Sequence, residues 1–245
     1  MKFFSFSQNW WQFLIVAIVC YLMGCFNFAS VIARFKKRDI TKIGSGNPGT
    51  MNMSREFGWK VGLLTFLGDA FKSFLPIFIT FLIYKDYYFE ATAVKVGDFT
   101  RYFCLVFVII GHIFPVTNHF KGGKGIATAL GGFWTGLSIE NPWWILFAFL
   151  LLCLLLGFIF ITEYGSLGNL TMVSVFSVIQ FVYFYTRYAA TPVNAYLVCL
   201  YLFLFAINVL AWGAHYQNLI RLLAGEEHKT SMRKIIAKAS KKNKE

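Results

Sequence analysis

The sequence predicts an all-α fold, a polytopic integral membrane protein with about seven transmembrane helices. Composition is the first ground: of 245 residues, 58% are apolar, 20% aromatic and 14% charged. Soluble domains carry about 45–50% apolar and about 25% charged residues. The second ground is distribution, because residues 3–33, 141–162, 164–186 and 188–220 contain no Asp, Glu, Lys or Arg. Helices of a soluble core need a polar face, and these stretches have none. The third is length: a span takes about 20 apolar residues, so the chain has room for six to eight. A soluble enzyme, a disordered chain and a secreted disulfide scaffold are excluded.

Taken in order, the apolar runs place spans at 11–33, 61–84, 101–117, 126–139, 142–162, 166–186 and 193–214. The fourth is short and Gly-rich, a thin helix or a re-entrant segment. The first run is too long for a secretory signal and is followed by no small-residue cleavage site. Cys20, Cys25, Cys104, Cys153 and Cys199 all lie within apolar runs without paired spacing, and read as small membrane residues.

Orientation follows from Lys and Arg. With span one exiting into the cytoplasm, segments 34–60, 118–125, 163–165 and 215–245 hold seventeen basic residues; the other side holds five, Lys2, Lys85, Lys95, Arg101 and Arg187. The positive-inside rule then puts the amino terminus outside and the carboxyl terminus in the cytoplasm. Residues 1–215 form a seven-helix membrane domain and 216–245 a basic cytoplasmic tail. The net charge of +12 is met by anionic lipid, which attracts each juxtamembrane cation by about 1 kcal/mol, and asks for no nucleic acid.

The unusual loops all fall on that cytoplasmic side, and the external loops offer nothing comparable. The first contains Gly44, Ser45, Gly46, Asn47, Pro48, Gly49 and Asn52, with Arg55 following. It matches the dinucleotide fingerprint literally but follows a membrane span, whereas that fingerprint needs a strand before it. The underlying physics remains: glycines let backbone N–H groups converge on an anion, Ser45, Asn47 and Asn52 add donors, and Arg55 offers a planar fork for phosphate. A flexible linker is the plain alternative. The second loop, Lys121-Gly122-Gly123-Lys124-Gly125, stands at a helix start, where phosphate binds well. A lysine anchor alone would have no use for its three glycines.

Asp69 and Lys72 share a helical face inside span two, where charges are either functional or mutually paired. His112 and His119 read as polar residues at a helix end, and nothing is argued for His228. His215, Asn218 and Arg221 follow at three-residue steps, a combination suited to a base or a phosphate clamp. No His or Cys pair has metal-ligand spacing, no G-x-S-x-G elbow occurs, and no His precedes an Asp by five positions.

Together these residues resemble the bacterial acyl-phosphate:glycerol-3-phosphate acyltransferase family, the PlsY type. The matching blocks are 44–55, then Gly111-His112-Ile113-Phe114-Pro115 through 120–128, and 215–227. Gly58, Lys60, Gly62, Asp69, Lys72 and Ser166-Leu167-Gly168 add secondary matches, so that the similarity runs from residue 24 to 229. Thr50-Met51, Ser73 and Cys25-Phe26-Asn27-Phe28 depart from the usual pattern.

The resemblance implies a seven-helix enzyme that moves an acyl group from acyl phosphate to the 1-hydroxyl of sn-glycerol 3-phosphate. It implies no cofactor and no metal. Ser45, Arg55, His215 and Asn218 are then expected to serve catalysis. Gly44, Gly46, Asn47, Asn52, Lys121, Gly122, Gly123, Lys124 and Gly125 are expected to hold phosphate, and Asp69, Lys72 and Glu227 to be structural. The expected setting is the cell membrane, with the active site on its cytoplasmic face and a soluble enzyme supplying acyl phosphate. The competing expectation is a transporter of an organic phosphate, although no internal repeat is visible and the candidates crowd one face.

Overall fold

The structure is a computed structural model that describes residues 2–227 and Lys229; His228 and residues 230–245, most of the predicted tail, lie outside the described residues. Ten α-helices are described, with two short strands: β1 (Lys2–Phe4), α1 (Phe6–Cys25), α2 (Phe28–Phe35), α3 (Thr50–Phe57), α4 (Trp59–Tyr84), β2 (Tyr87–Phe89), α5 (Val96–Ile113), α6 (Ile126–Glu140), α7 (Trp144–Thr162), α8 (Gly165–Arg187), α9 (Ala195–Ala214) and α10 (Tyr216–Leu223). Six helical stretches among them are long and apolar enough to cross a membrane.

Helix α5 is the axis of the bundle, packing against α1, α4, α6 and α9. Its apolar window is 72% buried, whereas that of α7 is 17% buried and that of α1 28%. The outer helices therefore turn Ile15, Leu64, Phe149 and Phe205 outward, as a lipid-facing surface requires. Close approach comes from glycine, the usual device where apolar burial cannot drive helices together. A Cβ on Gly24 would stand 2.9 Å from the Cα of Gly111, and one on Gly111 3.0 Å from the Cα of Gly24. These two residues are where α1 crosses α5.

Two spans differ from expectation in detail. Residues 11–33 were expected as one span and lie within one membrane-length stretch, Phe6–Phe35, but its helix breaks at Phe26 and Asn27, between α1 and α2. Asn27 is the cause: its Oδ1 accepts the Ser30 N–H at 2.7 Å and caps α2, as Asn does at helix starts. The third span was expected from residue 101, yet α5 begins at Val96, and Asp98 and Arg101 lie buried in its first turns. The fourth, expected as a thin helix or a re-entrant segment, is the helix α6 of 15 residues, which at 1.5 Å per residue measures about 22 Å.

The far end of the bundle holds a charge cluster built from helix residues. Arg101 donates to Gly136 O at 3.0 Å, Asp98 Oδ1 at 3.1 Å and Glu140 Oε1 at 2.5 Å. Arg187 meets Asp98 Oδ2 at 3.2 Å and Glu140 Oε2 at 2.7 Å, and the hydroxyls of Tyr188 and Tyr183 donate to the same two carboxylates. Two guanidinium groups balance two carboxylates, the condition for keeping charge inside a protein. This knot fastens the ends of α6 and α8 to the start of α5. Beside it β1 and β2 pair in parallel, covered by the rings of Phe4, Phe13, Tyr84 and Phe89.

Candidate active site

At the opposite end, the first loop is built around Asn52. This side chain is 1% exposed; its Oδ1 accepts the Ser45 N–H at 3.0 Å, and its Nδ2 donates to Ile43 O at 3.1 Å and Ile40 O at 3.5 Å. Asn52 was expected to donate to phosphate, but both amide hydrogens serve the loop. Gly44 (φ +58°) and Gly46 (φ +70°) make the turn in the left-handed region that glycine enters freely. Ser45 is left exposed, and α3 sets the half-buried Arg55 two turns further on.

The second loop lies across the end of α5. Gly122 N–H donates to Ile113 O and Gly123 N–H to His112 O, both at 3.1 Å. A Cβ on Gly122 would come within 2.7 Å of Ile113 O, and one on Gly123 within 3.1 Å of Pro48 O. The amides of Gly122 and Gly123, expected to face phosphate, are therefore the docking bonds of the loop, and their missing side chains permit the contact. Asn118 Nδ2 donates to Lys121 O at 2.5 Å. Gly125 (φ +76°) then turns the chain into α6, leaving Lys121 exposed and Lys124 half-buried.

The third block departs from a single helical face. His215 ends α9 and precedes α10, is 1% exposed, and places Nδ1 2.8 Å from Ala211 O. With Nδ1–H donated to that carbonyl, Nε2 keeps its lone pair. Asn218 Oδ1 accepts a hydrogen bond from Lys124 Nζ, and its Nδ2 donates to Glu227 Oε1 at 2.8 Å. Glu227 also accepts from Ser166 Oγ at 2.5 Å and from Arg221 Nε at 3.3 Å. Arg221 thus turns to Glu227, and Ser166, at the start of α8, is a member of the network that residue spacing did not point to.

Electrostatics show how near the blocks lie. Burial first, with the charges of Arg221 and Arg55 and against the opposing charge of Glu227, brings the Lys124 pKa down to about 8. Burial together with the charge of Lys124 holds His215 down at about 4, so its imidazole is neutral at pH 7. Partial burial pushes Glu227 upward, but hydrogen bonds from Ser166, Asn218 and Arg221 outweigh it and hold its carboxyl below the usual range. Lys124 is thus the point at which Arg55 of the first loop, its own glycine loop and His215, Asn218 and Glu227 meet. Asp69 and Lys72, by contrast, lie buried in α4 as an ion pair of 3.2 Å, beneath the loops. Among the described residues no group of three His, Cys, Asp or Glu side chains could hold a metal ion.

The fold is that of a multi-pass helical membrane protein, and one end of it gathers Arg55, Lys121, Lys124 and a neutral imidazole. The family profile described as glycerol-3-phosphate acyltransferase matches residues 14–225, and the chain belongs to this family of integral membrane acyltransferases. Among its relatives, the glycerol-3-phosphate acyltransferase of Mycoplasma pneumoniae is 32% identical over 233 residues, covering 87% of this chain and 92% of its own. That of Aquifex aeolicus is 32% identical over 216 residues, with 88% and 98% covered. Crystal structures of PlsY, an integral membrane glycerol 3-phosphate acyltransferase, superpose on the chain in two forms. The glycerol 3-phosphate form has a TM-score of 0.72 at 31% identity, and the lysophosphatidic acid form 0.70 at 30%, each covering 92% of this chain and 98% of its own. The transporter expectation gives way to this membership.

Proposed function

We propose that the protein transfers a fatty acyl group from acyl phosphate to the 1-hydroxyl of sn-glycerol 3-phosphate, at the cytoplasmic face of the cell membrane, in phospholipid synthesis. The observation that carries the reading is the meeting of three separate sequence blocks at Lys124, which donates to Asn218 and feels Arg55, Arg221 and Glu227. Two phosphates must be held there side by side. Arg55, Lys121 and Lys124 supply the charge, and the exposed Ser45 supplies a hydroxyl donor to a phosphate oxygen.

Acyl phosphate is already activated, so no covalent nucleophile is needed. The glycerol hydroxyl oxygen attacks the acyl carbon, the carbon–oxygen bond to phosphate breaks, and inorganic phosphate leaves. Binding both partners in register supplies most of the acceleration, and Lys124 and Arg55 stabilise the charge that grows on the leaving phosphate. His215, with its pKa near 4, is a weaker base than a phosphate ester dianion, whose second pKa is about 6. The hydroxyl proton therefore goes to phosphate, and His215 Nε2 orients the acceptor by accepting a hydrogen bond from its 2-hydroxyl. Lysophosphatidic acid and phosphate are the products.

The test uses purified protein in lipid with palmitoyl phosphate and sn-glycerol 3-phosphate, following phosphate and lysophosphatidic acid, with palmitoyl-CoA as parallel donor. Equal release of both products, lost in folded Ser45→Ala and His215→Ala variants, is the expected result. Turnover with palmitoyl-CoA alone would refute the donor, and no turnover with either would refute the reaction.

A further inference from the structure

Beneath the two glycine loops lies a buried polar group that the acyl-transfer reading does not use. Lys72, in the middle of α4, is 4% exposed, Asp69 1% and His112 4%. An ammonium group has three N–H donors, and those of Lys72 are all committed. Its Nζ stands 3.2 Å from Gly24 O, 3.2 Å from Phe26 O and 2.5 Å from His112 Nδ1. Asp69 balances the charge at 3.2 Å. The two carbonyls are among those freed where α1 breaks before α2, and a carbonyl left unpaired inside a membrane protein costs several kcal/mol.

Each partner of Lys72 leads to one of the loops. On one side, the break that Lys72 seals also holds Asn27, whose Nδ2 donates to Pro48 O at 3.1 Å in the first loop. On the other, a lysine donating to Nδ1 fixes the tautomer of His112, so that Nε2 carries the proton. That edge of the ring faces Gly123: a Cβ there would meet Nε2 itself and stand 3.0 Å from Cε1, with Pro48 O at 3.1 Å. His112 O receives the Gly123 N–H as well. Gly123 is therefore held between the His112 ring and the carbonyl that Asn27 fixes.

We propose that Lys72 and His112, neutralised by Asp69, are positioning residues for the acyl transfer. They set the Lys121–Gly125 loop against the Gly44–Asn52 loop and thereby fix the spacing of the two substrate phosphates. The inference deepens the proposed function and rests on it for its kinetic consequence. A misplacement of about 1 Å costs a reaction about 100-fold, so the effect belongs in kcat.

The experiment compares Lys72→Met, His112→Asn and the double variant with the wild type in lipid nanodiscs. His112→Asn keeps an acceptor for Lys72 and guards against a Lys72→Met protein that fails to fold. Each folded single variant loses about 100-fold in kcat with KM for glycerol 3-phosphate changed less than threefold, and the double loses no more than the worse single, because one path is broken twice. Wild-type kcat per folded molecule in both singles, with only thermal stability lowered, would reduce the group to a brace and overturn the proposal. Hydrogen exchange gives an arm that does not depend on turnover. Segments 44–52 and 121–125 exchange at least tenfold faster in His112→Asn, while α8 and α9 stay unchanged. Unchanged loops, or loosening of the whole bundle, overturn the proposal even if the wild type acylates nothing and the acyltransferase reading falls by itself.

Discussion

Lys124 offers the sharpest test of the site, because its burial and its cationic neighbours give it a titration within reach of an assay. Its pKa lies near 8, so the ammonium is mostly charged at pH 7 and mostly neutral at pH 9. The profile of kcat/KM reports ionisations of the free enzyme. In the wild type, kcat/KM for glycerol 3-phosphate therefore falls about tenfold per pH unit above about 8. An arginine stays protonated throughout this range, so Lys124→Arg keeps activity that no longer falls between pH 8 and 10. Lys124→Ala removes a hydrogen bond to a charged group, worth about 1.5–3 kcal/mol, or about 10- to 150-fold in kcat/KM at pH 7. Initial rates of phosphate release between pH 6 and 10 measure all three. An alkaline limb unchanged in active Lys124→Arg would refute the assignment, as would a wild-type limb lying above pH 10.

Three further outcomes follow from the same geometry. Asn52→Ala leaves the Ser45 N–H and the carbonyls of Ile40 and Ile43 without their partner, costing about 1–3 kcal/mol and most of the activity; thermal unfolding in lipid beside a rate measurement checks it. Glu227 has a depressed folded pKa, so its stabilising contribution is full above the unfolded value of about 4.3 and is lost as pH falls through the folded value. Melting curves from pH 6 to pH 3 should converge between wild type and Glu227→Gln, the wild type being the more stable only at the upper end. Arg101→Leu strips the central cation from Asp98 and Glu140 and costs about 3–5 kcal/mol. Activity per folded molecule stays near wild type, since the knot lies at the other end of the bundle.

The membrane class was legible because it depends on long runs of side chains without charge, such as residues 141–162 and 188–220, and these survive any detail of packing. The glycine loops were legible because few other roles combine three glycines with two lysines. What each glycine does was not. Gly122 and Gly123 present the same residue to a phosphate or to a carbonyl, and only the approach of Ile113 O and His112 O decides. The break after α1 is written locally, in an Asn27 cap three residues before Ser30, but the apolar run around it hides the signal. The far knot was illegible for another reason. Asp98, Arg101, Glu140 and Arg187 are up to 90 residues apart, and Arg101 in isolation counts as a loop cation. Ser166 joins Glu227 across a similar distance, and no spacing rule reaches that far.

Helix α6 is about 22 Å long, and the hydrocarbon layer of a typical bilayer is about 30 Å. One end is tied into the charge knot through Glu140. A helix of this length, set upright beside such a layer, leaves its other end, next to Lys124, about 8 Å short of a full span. The loop there draws its hydrogen bonds from α5. For a substrate with a phosphate head and an alkyl tail, the reacting carbonyl hangs just under the head. A cationic ledge set back in this way would meet that carbonyl while the tail stayed dissolved in lipid. In the proposed reaction, the shortness of one helix would let a water-soluble alcohol and an oil-soluble acyl chain be joined without either leaving its own phase.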